Sequence, residues 1–350
     1  MNGSTFPNFH ALNVFDATPE RAADVLGVIR RSFGARPPLD PPSTAMAETE
    51  ETIRAALAEG GGLLVERRGK PIGAMLYDVS RPGLLGFRRV SVDPDHQDRG
   101  VASAMVGVAE DTAEERGLDG VWLDVREELP ENVTFWTRRR YFPVRRDGST
   151  IEFGKTLWLA RELLTAEDAQ AFGARLATLL RAGDVVVMSG GLGAGKTTMT
   201  QGIGEGLGVR GPVTSPTFVL ARTHPNLGDG PPLVHVDAYR LGGALELDDL
   251  DLDTATEDSV TVVEWGEGIA EDLSDSWLEL RLERRSATVL DPLGAEDPAR
   301  DDAGDHDVRL VTLKPHGARW ARVPLRSTLL EPDAILHSVQ ARGLEDTRPL

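Results

Sequence analysis

Apolar residues recur on one face from Ala17 to Gly34, at Val25, Leu26, Val28 and Ile29. A Thr18-Pro19 start, an early Glu20 and the closing glycine bracket this run, which predicts a capped amphipathic helix. A Pro-rich loop follows over Ala35 to Pro42, then a short helix near Glu48 to Ala58. Next, GGLLVERRGKPIGAMLYDVS places two apolar runs on either side of Arg67-Arg68-Gly69-Lys70, a hairpin pattern. A strand over Gly86 to Val92, a loop DPDHQDRG, a helix from Val101 to about Arg116 and a strand over Gly120 to Glu127 complete the readable elements of this half. That order, with a further helix and strand, predicts a mixed α+β domain closing near Gly154.

The pattern changes after a boundary placed at Lys155 to Ala160. RELLTAEDAQAFGARLATLL predicts one helix, and AGDVVVMSGG predicts a β-branched, buried strand that runs into glycine. LVHVDAYRL, SVTVVEWG, SWLELRLER and DVRLVTLKP supply further strands, the make-up of an α/β or mixed sheet. The Pro-, Asp- and Gly-rich stretch Asp291 to Asp307 predicts a solvated connection between two of them. The predicted fold class is therefore α+β followed by α/β, with domains at residues 1–156 and 157–325 and a tail at 326–350. A chain of 350 residues is long enough for two domains that each bury a core.

Composition narrows the function classes. With no cysteine the chain has no disulfides and no thiolate metal sites, and neither a secretory leader nor an apolar run of membrane-spanning length is visible. A cytoplasmic protein without membrane contact is expected. Residues 1–156 hold 20 Lys and Arg against 24 Asp and Glu, and residues 157–350 hold 18 against 32, so the halves carry −4 and −14. Such an acidic second half repels phosphate backbones and favours a protein partner over direct contact with DNA or RNA. The seven histidines make no metal-ligand spacing. The acidic run Leu245 to Asp258 resembles a calcium loop only superficially. Counted from Asp249, it lacks the glycine after Asp253 and has Val260 where a glutamate is needed, so a solvated helix or loop is expected.

The strongest motif is Gly190-Gly191-Leu192-Gly193-Ala194-Gly195-Lys196-Thr197-Thr198, which fits the phosphate-loop pattern without deviation and follows the predicted strand Val185 to Met188. Glycines let backbone N–H groups wrap phosphate oxygens, and the helix that follows presents its positive end. Lys196 would bridge the β- and γ-phosphates of ATP, and the Thr197 hydroxyl would meet Mg²⁺. Only four lysines occur in the chain, so one at this position is informative. A phosphate loop leaves the reaction open, and catalysis also needs carboxylates at strand ends and a loop that senses the γ-phosphate. Candidates are Thr214, Ser215 and Thr217 in a polar turn, Asp237 ending one strand and Glu264 ending another.

GGLGAGKTT, SPTF (Ser215 to Phe218), HVDAYRL (His235 to Leu241) and VEWGEG (Val263 to Gly268), in this order, resemble the bacterial TsaE-type ATPase of tRNA threonylcarbamoyladenosine biosynthesis. The resemblance covers about residues 160–325. It implies a P-loop NTPase-like sheet and ATP hydrolysis in service of TsaD- and TsaB-type transferase subunits, with tRNA met only through that complex. By position it implies Thr197 and Glu264 as Mg²⁺ ligands, Asp237 as the Walker-B-like carboxylate, Thr217 as the switch hydroxyl, and Trp265 beside the nucleotide or a partner. Two other readings of the residues are a small-molecule kinase and a nucleotide-gated binding module with an inactive acyltransferase domain.

In the first half, Gln97-Asp98-Arg99-Gly100-Val101-Ala102 places a glycine turn between a strand and a helix, suited to a pyrophosphate. This segment resembles the acetyl-CoA motif of the GNAT N-acetyltransferases, and the element order over about residues 10–154 resembles that fold. The resemblance implies pantetheine contacts along Val90 to Val92 and pyrophosphate contacts at Gln97 to Ala102. Trp136 stands where these enzymes commonly have the tyrosine that protonates the departing thiolate, and Arg140 replaces a glycine. An indole cannot act as that acid. For Tyr141 the alternatives are a substitute acid and a core aromatic, for Glu127 and Glu128 a proton acceptor and an exposed charge, and the acyl acceptor is open.

Overall fold

The computed structural model describes residues 12–240, 256–284 and 308–330. Residues 245–255 of the acidic run, and the run Asp291 to Asp307, for which solvated segments were expected, lie outside the described residues. The chain divides into two compact units, Met1–Lys155 and Thr156–Leu350.

The first unit runs β1 (Asn13–Asp16), α1 (Ala22–Gly34), α2 (Glu50–Glu59), β2 (Gly62–Arg67), β3 (Lys70–Asp78), β4 (Leu84–Val92), α3 (Val101–Glu115), β5 (Gly120–Arg126), α4 (Pro130–Thr137), β6 (Phe142–Asp147) and β7 (Thr150–Thr156). Its sheet has the order β1-β2-β3-β4-β5-β7-β6. The hairpin between β2 and β3 turns on Arg68 and Gly69, both at positive φ (54° and 74°), which matches the right-handed twist of the strands. The period-2 alternation of β2 and β3 sends Leu64, Ala74 and Leu76 to the face covered by α1 and α2, where they meet Val25, Val28, Ile29, Ile53 and Leu57. On the other face, Gly73 of β3 leaves room for Val101 at the start of α3.

Two irregularities shape the middle of this sheet. β4 and β5 pair in parallel only at Leu84–Gly120, Leu85–Val121 and Gly86–Trp122, yet β4 continues to Val92 and β5 to Arg126. The strands therefore splay apart. Opposite β3, the register of β4 shifts between its Ser91 and Arg88 pairs, where Arg89 takes φ 53°. This bulge twists β4.

The second unit runs β8 (Leu159–Leu163), α5 (Ala166–Ala177), β9 (Val185–Gly190), α6 (Lys196–Leu207), β10 (Ala221–His224), β11 (Leu233–Asp237), β12 (Val260–Glu264), β13 (Trp277–Arg284), β14 (Arg309–His316) and α7 (Leu325–Leu329). The sheet order is β10-β11-β12-β9-β13-β14-β8, with β11, β12, β9 and β13 mutually parallel. Residues 161–180 are not one helix as the sequence predicts. Leu159 and Leu163 are buried and pair with β14, which claims the start of that run for the sheet. A capping box then fixes the helix start: Thr165 Oγ1 accepts from Asp168 N, and the Asp168 carboxylate accepts from Thr165 N. Residues 326–330, assigned to a tail, also belong to this core. Leu325, Leu329 and Leu330 join its main cluster, and Arg326 donates to Trp158 O at 2.8 Å. Residues 331–350 of the tail lie outside the described residues.

Candidate functional site

Four parallel strands end along one edge of the second sheet, and that edge collects the candidate residues. β9 lies between β12 and β13, so Val185 to Met188 are buried on both faces. The chain leaves the sheet at Gly190 (φ 141°), turns through Gly193 (φ 75°) and enters α6 at Gly195 (φ 100°). The first intrahelical bond of α6 runs from Met199 N to Gly195 O at 2.9 Å. The N–H groups of Lys196, Thr197 and Thr198 thus have no intrahelical acceptor, and the helix dipole adds roughly half a positive charge there. Gly191, Leu192 and Gly193 form the exposed rim of this loop, while Ala194 is buried beneath it and its carbonyl accepts from Arg309 Nε at 3.0 Å.

Alternation along β11 and β12 sorts the strand-end side chains. Val234, Val236 and Val263 enter one core cluster, while Leu233, Val260 and Val262 enter the other, which also holds Met199 and Ile203 of α6. His235, Asp237 and Glu264 share the second face by the same period of two. Asp237 and Glu264 are direct partners in register, and Glu264 is paired on its other side with Met188 of β9. Thr197 Oγ1, one residue into α6, lies 3.0 and 3.2 Å from the two carboxylate oxygens of Glu264.

Thr197 donates to both oxygens of Glu264, and a hydroxyl and a carboxylate brought together in this way are oxygen donors of the kind Mg²⁺ takes. Among the described residues no group of three or more His, Cys, Asp or Glu gathers as a metal cage. One hydroxyl, one carboxylate, phosphate oxygens and water make up the set that Mg²⁺ prefers over an all-protein cage.

Lys196 Nζ donates to Gly190 O at 2.8 Å and Gly191 O at 3.0 Å, and lies 3.6 Å from the centroid of the Trp265 ring. Burial pushes its pKa below that of an ordinary lysine, an effect that Glu264 and Asp237 oppose. Trp265 adopts φ 61°, an uncommon conformation for a bulky residue, and this bend directly after Glu264 brings the indole over the lysine. Asp237 gathers the polar turn: Thr217 Oγ1 donates to its Oδ2 at 2.5 Å, Ser215 Oγ lies 3.3 Å from the same oxygen, and Tyr239 N donates to Oδ1 at 3.1 Å. Thr214 points elsewhere and accepts from Arg222 at 2.8 Å.

Lys196, Thr197, Thr217, Asp237, Glu264 and Trp265 therefore meet around one loop. Two residues escaped the sequence reading. Arg309 holds the loop from β14, 115 residues away, and no local pattern announces it. His235 contacts Glu264, and its signal was a polar residue inside the apolar run Leu233 to Val236.

In the first unit, Val90 and Val92 lie on the splayed end of β4, and Gln97, Asp98, Arg99 and Gly100 are exposed ahead of α3. Gly100 caps α3 at φ 78°, and the first intrahelical bond runs from Ala104 N to Gly100 O at 2.9 Å. Val101, Ala102 and Ser103 thus offer free helix-start N–H groups, and the cradle fits a pyrophosphate.

Tyr141, Glu127 and Glu128 each have a partner within the domain. Trp136 is buried against Phe87, Phe135 and Tyr141. Tyr141 is fully buried and donates to Glu110 at 2.7 Å, and burial raises its pKa well above the usual value, so it is a core residue and not a substitute acid. Glu128 is held by Arg126, which pulls its pKa down to about 2 and makes it a poor base. Glu127 pairs with Arg146 at 2.8 Å.

Comparison with known proteins gives the family. The family model described as threonylcarbamoyl adenosine biosynthesis protein TsaE matches residues 163–289. Over 150 residues, 43% of this chain and 91% of the relative, the sequence is 61% identical to the tRNA threonylcarbamoyladenosine biosynthesis protein TsaE of Streptomyces coelicolor. The chain belongs to the TsaE family. The proteins of the same description from Mycobacterium tuberculosis and Bacillus subtilis are 57% and 39% identical, each over 34% of this chain and over 76% and 73% of their own lengths. Residues 29–141 match the acetyltransferase (GNAT) family model, so a GNAT domain precedes the TsaE region in this chain.

Proposed function

We propose that the second unit is a Mg²⁺-dependent ATPase serving the tRNA threonylcarbamoyladenosine system, joined to an acetyl-CoA-dependent N-acetyltransferase domain. The observation that carries the reading is the convergence of Thr197–Glu264 and Thr217–Asp237, through paired strand ends, at the loop that carries Lys196. Mg²⁺, when bound, would neutralise charge on the β- and γ-phosphate oxygens. Thr197 and Glu264 would hold it. The free N–H groups of Lys196 to Thr198 would bind phosphate oxygens, and Lys196 would exchange its two carbonyl acceptors for the β- and γ-phosphates. Asp237, with Thr217 donating to it, would orient the water that attacks the γ-phosphorus, so that the bond to the bridging oxygen breaks and ADP and phosphate leave.

Protein subunits of the TsaD and TsaB type are the proposed partners, with tRNA reached through them, which suits the charge of −14 on residues 157–350. No helix among the described residues is long and apolar enough to cross a membrane, and the cytoplasm is the proposed location. In the GNAT domain, acetyl-CoA would lie along the β4–β5 splay with its pyrophosphate at the start of α3.

Hydrolysis by the whole chain is expected to be slow alone and to rise when the TsaD- and TsaB-type subunits are added. Phosphate transfer to an added small-molecule acceptor, independent of those subunits, would instead favour a kinase. Calorimetric titration of the same protein with acetyl-CoA is expected to saturate at one equivalent per chain. Absence of heat and of thermal stabilisation would remove acetyl-CoA from the account and favour a nucleotide-gated binding module with an inactive acyltransferase domain.

A further inference from the structure

His235 occupies the middle of β11, where every residue from Leu233 to Asp237 is buried, and it is itself 0% exposed. Its neighbours in the strand are valines, so an aliphatic side chain would suit the position by packing alone. A polar ring in such a place costs stability unless it is hydrogen-bonded. The ring makes one such bond, from Nε2 to Glu264 Oε1 at 2.8 Å, while Nδ1 has no partner among the described residues. An ionised carboxylate only accepts, so Nε2 carries the hydrogen.

The sheet register explains how the two meet. Asp237 is directly opposite Glu264 and His235 is two residues back on the same face, the diagonal position from which a long side chain reaches across. Oε1 of Glu264 thus takes two contacts, from His235 at 2.8 Å and Thr197 at 3.0 Å, whereas among the described residues Oε2 takes only the longer Thr197 contact at 3.2 Å. The arrangement fixes the rotation of the carboxylate and leaves Oε2 the less committed oxygen.

We propose that His235 is a positioning residue that orients the Glu264 carboxylate for Mg²⁺ while taking no part in nucleotide contact itself. The proposal rests on the reading of Glu264 as a metal ligand. Outer hydrogen-bond partners of metal ligands typically govern metal affinity by about 10- to 100-fold. Without the ring, only Thr197 among the described residues holds the Glu264 carboxylate, which can rotate away from the orientation the metal needs, and the loss falls on the metal-dependent part of binding.

ADP is the probe, titrated calorimetrically with Mg²⁺ and again with EDTA, so that no turnover is needed. The full-length wild type is expected to bind ADP more tightly with Mg²⁺. His235→Leu, which keeps an apolar filling of the site, is expected to lose about tenfold or more of that enhancement with metal-free ADP affinity unchanged. His235→Gln, whose amide nitrogen reaches the place of Nε2, restores most of it, and His235→Asn, one bond shorter, does not. Retention of the full enhancement by His235→Leu would overturn the proposal, as would an equal loss of both affinities in step with a lowered urea midpoint. If the leucine variant does not fold, the glutamine and asparagine variants decide: equal enhancement in the two overturns it. Absence of Mg²⁺ enhancement in the wild type would contradict the reading of Glu264, a different failure from either of these.

Discussion

Lys196→Ala is expected to lower kcat for ATP hydrolysis by about a hundredfold to a thousandfold, the cost of removing one fixed donor from a transition state that gathers charge. The structure isolates this effect from folding. Lys196 Nζ contacts two carbonyls of its own loop and the Trp265 ring, and among the described residues it holds no other element in place by hydrogen bonds. Its removal should therefore lower the stability read from urea unfolding little, by about 1 kcal/mol at most. Lys196→Arg should recover only a small part of the rate, because the planar guanidinium is longer and does not fit the narrow space between the indole and the Gly190 and Gly191 carbonyls. Steady-state hydrolysis, read beside an unfolding curve, checks both statements. A variant that keeps wild-type turnover would show that the loop cradles phosphate without taking part in the reaction.

Gly190→Ala should act on stability and binding together. A Cβ at Gly190 would lie 2.3 Å from Leu282 O, in the register pair that joins β9 to β13, and φ there is 141°, a region that L side chains rarely adopt. Neither the backbone oxygen nor the dihedral angle can relax without parting the two central strands. A loss of about 3 kcal/mol in the second unit is expected, with ADP binding abolished, since strain of this kind costs about 1–3 kcal/mol before the contact is counted. Gly208→Ala is the matched control. That glycine also has positive φ, 74°, but a Cβ would meet nothing within 4 Å, so only the backbone cost of about 1 kcal/mol applies. Urea unfolding of the two variants reads the difference, and equal losses would mean that the Leu282 contact is absorbed by movement of the loop.

What could be read from the sequence follows chain distance. The phosphate loop is nine consecutive residues whose types are dictated by one local geometry, so it was legible as it stands. The α1 and α3 helices were legible from apolar spacing and flanking glycines, and the β2–β3 hairpin from Arg68-Gly69. The pairing of Thr197 with Glu264 spans 67 residues, and nothing in either local segment states it. Only the order of motifs suggested it. His235 was visible as a polar break in an apolar strand but not as a partner of Glu264, because that contact depends on the parallel register of β11 on β12. Where the reading failed, neighbours in space overrode local periodicity. Leu159 to Leu163 have helix-compatible spacing, but β14 offers an open edge that they fill, and Thr165 then sets the helix start. Of the two readings of Tyr141, burial beside Trp136 and the bond to Glu110 decide for the core aromatic.

The most direct test of the central claim is threonylcarbamoyladenosine content of tRNA, measured by mass spectrometry in cells whose own TsaE-type ATPase has been removed. Expression of the whole chain is predicted to restore the modified nucleoside, and Lys196→Ala and Glu264→Ala, present at equal levels, are predicted not to. Restoration by both variants would contradict a role for ATP hydrolysis, and failure of the wild type to restore it would contradict the assignment to tRNA modification.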